Sequence, residues 1–171
     1  MYKRQTTAKS TSPVGSYSSS CSGATDANYT FSYVKGSVTV GPAPLTVTAS
    51  GPSFTYGGTP PTITASYDGF VNSDSASSLS PGPTCTTTAK STSPVGSYTS
   101  SCAGAADANY SFSYVNGTVK VKAAGLTITA SDGSFTYGGT PPAITVSNYA
   151  GFVNSDSASS LTTQALSLIH I

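Results

Sequence analysis

The chain repeats itself at a fixed step. Thr55-Tyr56-Gly57-Gly58-Thr59-Pro60-Pro61 returns as Thr136-Tyr137-Gly138-Gly139-Thr140-Pro141-Pro142, and 137 − 56 gives 81 residues. The string TAKSTSPVGSY runs from Thr7 to Tyr17 and again from Thr88 to Tyr98, and Cys21 returns as Cys102, at the same step. A constant step of this size means copies of one folding unit in a line, so function is to be sought in the array as well as in any single pocket. A step of 81 residues is also a sensible size for a small domain.

The copies divide the chain into pieces. Residues 1–43 read as the C-terminal half of a unit, 44–122 as a complete unit and 123–165 as the N-terminal half of another. Pro42-Ala43-Pro44 and Ala123-Ala124-Gly125 sit one step apart and read as joints. Residues 1–5 (MYKRQ) and 166–171 (LSLIHI) have no counterpart in the pattern. Both strings resemble translated sequencing-adaptor read-through, and they are expected to be foreign to a longer reading frame.

Only 8% of residues are charged and the net charge is +1, so neither nucleic acid nor an anionic membrane is implied electrostatically. No stretch is long and apolar enough to span a bilayer. Tyr supplies 11 aromatic residues and Trp none, and β-branched residues are spread evenly between Gly, Ser and Thr. That composition predicts an all-β chain with polar outer faces.

Within the complete unit, Leu45, Val47 and Ala49 alternate with polar residues, as in a half-buried strand, and Leu126, Ile128 and Ala130 repeat the pattern. Phe54 and Tyr56 predict a short strand stopped by Gly57-Gly58, and Pro60-Pro61 an edge or loop. Ile63 to Tyr67 is extended. Asn72, Ser73 or Asp74 is expected to cap one helical turn, anchored by Phe70, Val71 and Leu79 and ended by Pro81-Gly82-Pro83. Thr84–Ala89 and Gly96–Ala103 pair as a hairpin. A second hairpin is predicted over Asn109–Val121, with Tyr110, Phe112 and Tyr114 on its core face and Asn116-Gly117 in a type I′ turn. About seven short strands and one helical turn per unit make tandem small β-sandwich-like domains. A β-grasp-like sheet is the alternative.

The odd count of three cysteines follows from the step. Pairing Cys85 with Cys102 puts Thr87 opposite Ser100 and Ala89 opposite Tyr98, with the turn near Ser93-Pro94, so a cross-strand disulfide is expected. Cys21 corresponds to Cys102, and Arg4 stands where its partner would be, so Cys21 is expected to be unpaired through truncation. A reduced buried pair and a metal site are the alternatives, the latter lacking a nearby His or Cys to complete a tetrahedral shell.

Little else carries chemistry. His170, the single His, lies in the terminal string, and no Ser sits in a nucleophile elbow. Asp68 and Asp74 flank one loop, but Ala150 replaces Asp68 in the next copy, so turn formation and capping explain them better than paired-carboxylate hydrolysis. A Ca²⁺ loop through Asp68, Asn72 and Asp74 has the wrong spacing. Asn28-Tyr29-Thr30, Asn109-Tyr110-Ser111 and Asn116-Gly117-Thr118 match the glycosylation acceptor pattern, but strand starts and a turn account for them. No catalytic, metal or cofactor residues are expected.

FTYGGTPP, YDGFVNSDSASSL, SPVGSY and DANYSFSYVNGTVKV, in one order along the unit, resemble the MBG repeat domain, named for being mostly β and glycine-rich. The resemblance covers residues 6 to 165. It implies a non-catalytic module of large secreted or surface-attached bacterial proteins, often adhesin-like. Its expected partners are neighbouring units of the same chain and surface glycans or proteins, at the cell surface or outside it. The family's glycine in "GFVNGD" is Ser73 here and Ser155 in the next copy, which alters the loop before the helical turn.

Overall fold

A computed structural model describes residues 3–166. Twelve strands and two single 3-10 turns account for its regular structure. Strands β1 (Lys3–Thr6), β2 (Gly15–Ser22) and β3 (Gly36–Val40) form one antiparallel sheet in the order β1-β2-β3. Strand β4 (Ala43–Ala49) lies between antiparallel β6 (Ala65–Asp68) and parallel β9 (Tyr110–Val115). A four-stranded sheet has the order β5 (Ser53–Thr55), β10 (Gly117–Lys122), β8 (Gly96–Ala103), β7 (Thr84–Thr87). Strands β11 (Thr127–Ala130) and β12 (Val146–Ala150) form an antiparallel pair. The all-β class expected from the sequence is what the structure has.

Two compact units are present, and their limits differ from those of the sequence copies. One contains residues 3–50, 63–86 and 100–117; the other contains 51–62, 87–99 and 118–166. Each unit holds one of the joints inside it, 42–44 in the first and 123–125 in the second. The chain therefore changes copy in the midst of a compact unit.

In the first unit the core is built on β4. Leu45 and Val47 are fully buried and Ala49 nearly so, as their alternation predicts. Leu45, Leu79 and Tyr110 form a cluster with Tyr67, Phe70 and Phe112 packed against it. Phe70 meets the Tyr110 ring edge-on with centroids 5.6 Å apart, a favoured aromatic geometry. The 3-10 turn Ala76–Ser78 brings Leu79 into this cluster. Its N-cap is Ser75, where Asn72, Ser73 or Asp74 was expected. Asn72 and Ser73 instead adopt left-handed φ values of 55° and 67°, and a chain reversing in that way cannot yet have entered a helical turn. Val71, expected as an anchor, is 46% exposed.

The second expected hairpin does not form. Strand β9 pairs with β4, whereas β10 joins the sheet of β5 and β8, so the chain passes from one sheet to another at Asn116-Gly117. Neither residue has the positive φ that a type I′ turn demands. Gly117 is there for close approach: a Cβ on it would strike the Ala49 carbonyl oxygen and lie 2.6 Å from Ser100 Oγ. Ser100, fully buried, donates its hydroxyl proton to the Ser50 carbonyl at 2.6 Å. Period-2 alternation fits either pairing, because it reports which face is buried and not which strand lies beside it. The aromatic face of β9 is buried in a gradient, from buried Tyr110 through half-buried Phe112 to exposed Tyr114.

In the second unit β5 runs parallel to β10, with Phe54 opposite Val121. Val119 and Val121 are buried. A second 3-10 turn, Ala158–Ser160, repeats the first down to its Ser157 cap.

Candidate functional site

Cys85 and Cys102 are joined by a disulfide, with Cα atoms 4.0 Å apart. The pairing register is the expected one: Thr88 N–H donates to Thr99 O, one rung from Thr87 opposite Ser100. Cys21 is exposed and carries no disulfide. Arg4 pairs with Cys21 across β1 and β2, the register that Cys85 and Cys102 hold one step later. Residues 3–5, expected to be foreign, are thus part of strand β1. His170 and most of the terminal string 166–171 lie outside the described residues.

The best-organised polar site is the loop before the 3-10 turn. The Tyr110 hydroxyl donates to Asp74 Oδ2 at 2.7 Å and accepts the Val71 N–H at 3.1 Å. Burial pushes the Tyr110 phenol above its ordinary value; the Val71 backbone hydrogen bond opposes this, and Asp74 and then Asp107 add to it. Asp74 also accepts from Ser78 Oγ at 3.5 Å. This carboxylate is occupied in fastening a loop to a core tyrosine. Asp68, exposed on β6, contributes nothing to it. Among the described residues no group of three or more His, Cys, Asp or Glu side chains converges on a point where a metal could sit. Asn109, in an acceptor pattern, uses Oδ1 to accept the Val14 N–H at 2.9 Å.

The turn after β1 and its copy after β7 are built alike. Lys9 N–H donates to Ser12 Oγ at 2.8 Å and Lys90 N–H to Ser93 Oγ at 2.9 Å. Tyr17 donates its hydroxyl to the Pro13 carbonyl and Tyr98 to that of Pro94, both at 2.7 Å. Ser and Thr side chains that bond nearby backbone hold such turns without a regular ladder. Each turn presents one carbonyl to the next copy. Asn72 Nδ2 donates to Ser10 O at 3.3 Å, and Asn154 Nδ2 donates to Ser91 O at 2.9 Å. The same residue types meet across both joints, and no periodicity in the sequence marks them as partners. The only signal was that both strings return with the step.

Modules that return at a fixed step and meet at each joint through the same side chain define a tandem β-repeat protein. The family model of the MBG domain, YGX type, matches residues 3–39, 45–120 and 126–169. The chain belongs to this family. No curated protein and no solved structure matches it. Among the described residues no helix is long and apolar enough to cross a membrane.

Proposed function

We propose that the chain is a non-catalytic structural repeat, a spacer or stalk, of an exported bacterial cell-surface or adhesin-like protein. Residues 44–122 are its complete copy, flanked by parts of two others. The observation that carries this reading is the asparagine-to-carbonyl contact made alike at Ser10 and Ser91. A module selected for array-building repeats its joint; one selected for a ligand needs only its own pocket. The polar side chains of the loop and turn are spent on internal hydrogen bonds, which suits mechanics better than catalysis. A disulfide of this kind persists in an oxidising compartment, consistent with export.

A second reading is a glycan- or ligand-binding β module, favoured by the exposed rings of Tyr29 and Tyr137. One experiment separates the two. The full chain applied to a glycan array should give no saturable signal if it is a spacer. Saturable binding to a defined glycan that is lost in Tyr29→Ala or Tyr137→Ala would replace the spacer reading with the binding one.

A further inference from the structure

The Tyr-Gly-Gly turn is the most recognisable string in the chain, and no strand or core position accounts for it. In the complete copy it lies beside the loop of the copy that follows. Tyr56 donates its hydroxyl to Asp156 Oδ2 at 3.0 Å. Gly57, with φ of +82°, is so close to Val153 that a Cβ on the glycine would lie 2.5 Å from the valine Cβ. The Gly57 N–H donates to Ser91 O at 2.9 Å, the same carbonyl that receives Asn154. One carbonyl therefore ties the Tyr-Gly-Gly turn to the Lys-Ser-Thr-Ser-Pro turn and to the incoming asparagine.

We propose that these two turns form a docking socket on each repeat, and that the Phe-Val-Asn-Ser-Asp loop of the next repeat is its plug. This rests on the spacer reading and says what fastens one repeat to another. Valine fills the space left by the missing glycine side chain. Asparagine and aspartate on either side of the serine meet the carbonyl and the phenol. Between the valine and the aspartate the backbone is left-handed at Asn154 and Ser155, φ of 53° and 64°.

The chain contains its own comparison. At the first joint the Lys-Ser-Thr-Ser-Pro turn is present and takes Asn72, but the sequence supplies no Tyr-Gly-Gly turn ahead of it. There the equivalent valine, Val71, is exposed, whereas Val153 is half-buried. The third copy displays the other half. Tyr137 is fully exposed, and a Cβ on Gly138, φ +80°, would meet nothing. Tyr137-Gly138 thus presents half a socket, and its fitting occupant is the Phe-Val-Asn-Ser-Asp loop of a further repeat of this sequence.

The test uses the full chain, isotopically labelled for NMR. In the wild type, Val153 methyl groups should show cross-peaks to Tyr56 and Gly57, and β11–β12 amides should relax with the slow tumbling of the Ser91 turn. Val153→Ala combined with Asn154→Ala should remove those cross-peaks, shift the Gly57 amide and shorten the apparent correlation time of β11–β12. The Cys85–Cys102 hairpin should keep its shifts, which shows that the fold survives. Val71→Ala should leave Gly57 and the relaxation of β11–β12 unaltered. If the double substitution leaves the Gly57 shift and β11–β12 relaxation as in the wild type, the socket is overturned, whatever the glycan array reports. A clean loss in NMR with a positive array would sink the spacer reading alone.

Discussion

Tyr110 shows what one residue decides. Its ring closes the cluster around Leu45 and Leu79, and its hydroxyl holds Asp74 and Val71 at the loop. Burial favours the neutral phenol, so the folded state holds that proton to higher pH than the unfolded chain does. The sign follows from linkage. Above the ordinary phenol value of about 10, the unfolded chain ionises first, so stability is full below that pH and falls as pH rises through the higher folded value. Urea midpoints measured from pH 8 to 12 should fall in the alkaline limb, and Tyr110→Phe should flatten that fall while lowering stability at pH 8. Equal alkaline slopes in the two proteins would refute the assignment. Ser73 is a second such residue: expected as a cap, it instead takes a left-handed backbone, φ 67°, at the family's glycine position, which glycine would adopt without strain.

At the scale of the element, local sequence predicts a strand and leaves its partner open. The alternation of Leu45, Val47 and Ala49 located β4 and its buried face, and the paired cysteines located β7 and β8 with their register. Local sequence equally suits a hairpin of β9 and β10 through Asn116-Gly117, but the structure sends them to different sheets. A crossing and a type I′ turn make different demands. Gly117→Ala should cost about 1–3 kcal/mol, as an inserted methyl in a packed site does, because it meets Ala49, Ser50 and Ser100. Asn116→Ala should cost little, since Asn116 needs no left-handed backbone. Chemical denaturation of both variants decides this; a large loss for Asn116→Ala with none for Gly117→Ala would restore the hairpin.

For the whole molecule, the disulfide closes a loop with a sequence separation of 17 residues. The chain-entropy estimate gives about 3 kcal/mol for a loop of that size. Reduction, or the pair Cys85→Ser and Cys102→Ser, should lower the melting temperature by roughly 10–20 °C. Cys21→Ser should leave it unchanged, as expected of an exposed thiol outside any core. A melting curve indifferent to reductant would show that the clip adds nothing to stability.

The sequence by itself determined the period, the all-β class, the cysteine pairing and the family, because each is carried by residue types at fixed spacing. Tertiary structure decided which copies of a string become strands. Asn109-Tyr110-Ser111-Phe112-Ser113-Tyr114-Val115 supplies β9, with Tyr110 buried, whereas Asn28-Tyr29-Thr30-Phe31-Ser32-Tyr33-Val34 forms no strand and leaves Tyr29 71% exposed. Ser53-Phe54-Thr55 is β5, yet Ser134-Phe135-Thr136 is irregular. The strings are nearly identical; their partners differ. Strand β9 has β4 beside it and β5 has β10, and the flanking copies have no such neighbours within this sequence. A strand's hydrogen bonds and half its burial come from another segment, so near-identical local sequences need not share one structure. The joints obey the same logic: Asn154 and Ser91 are each ordinary in sequence and become a contact only when the fold brings consecutive repeats together.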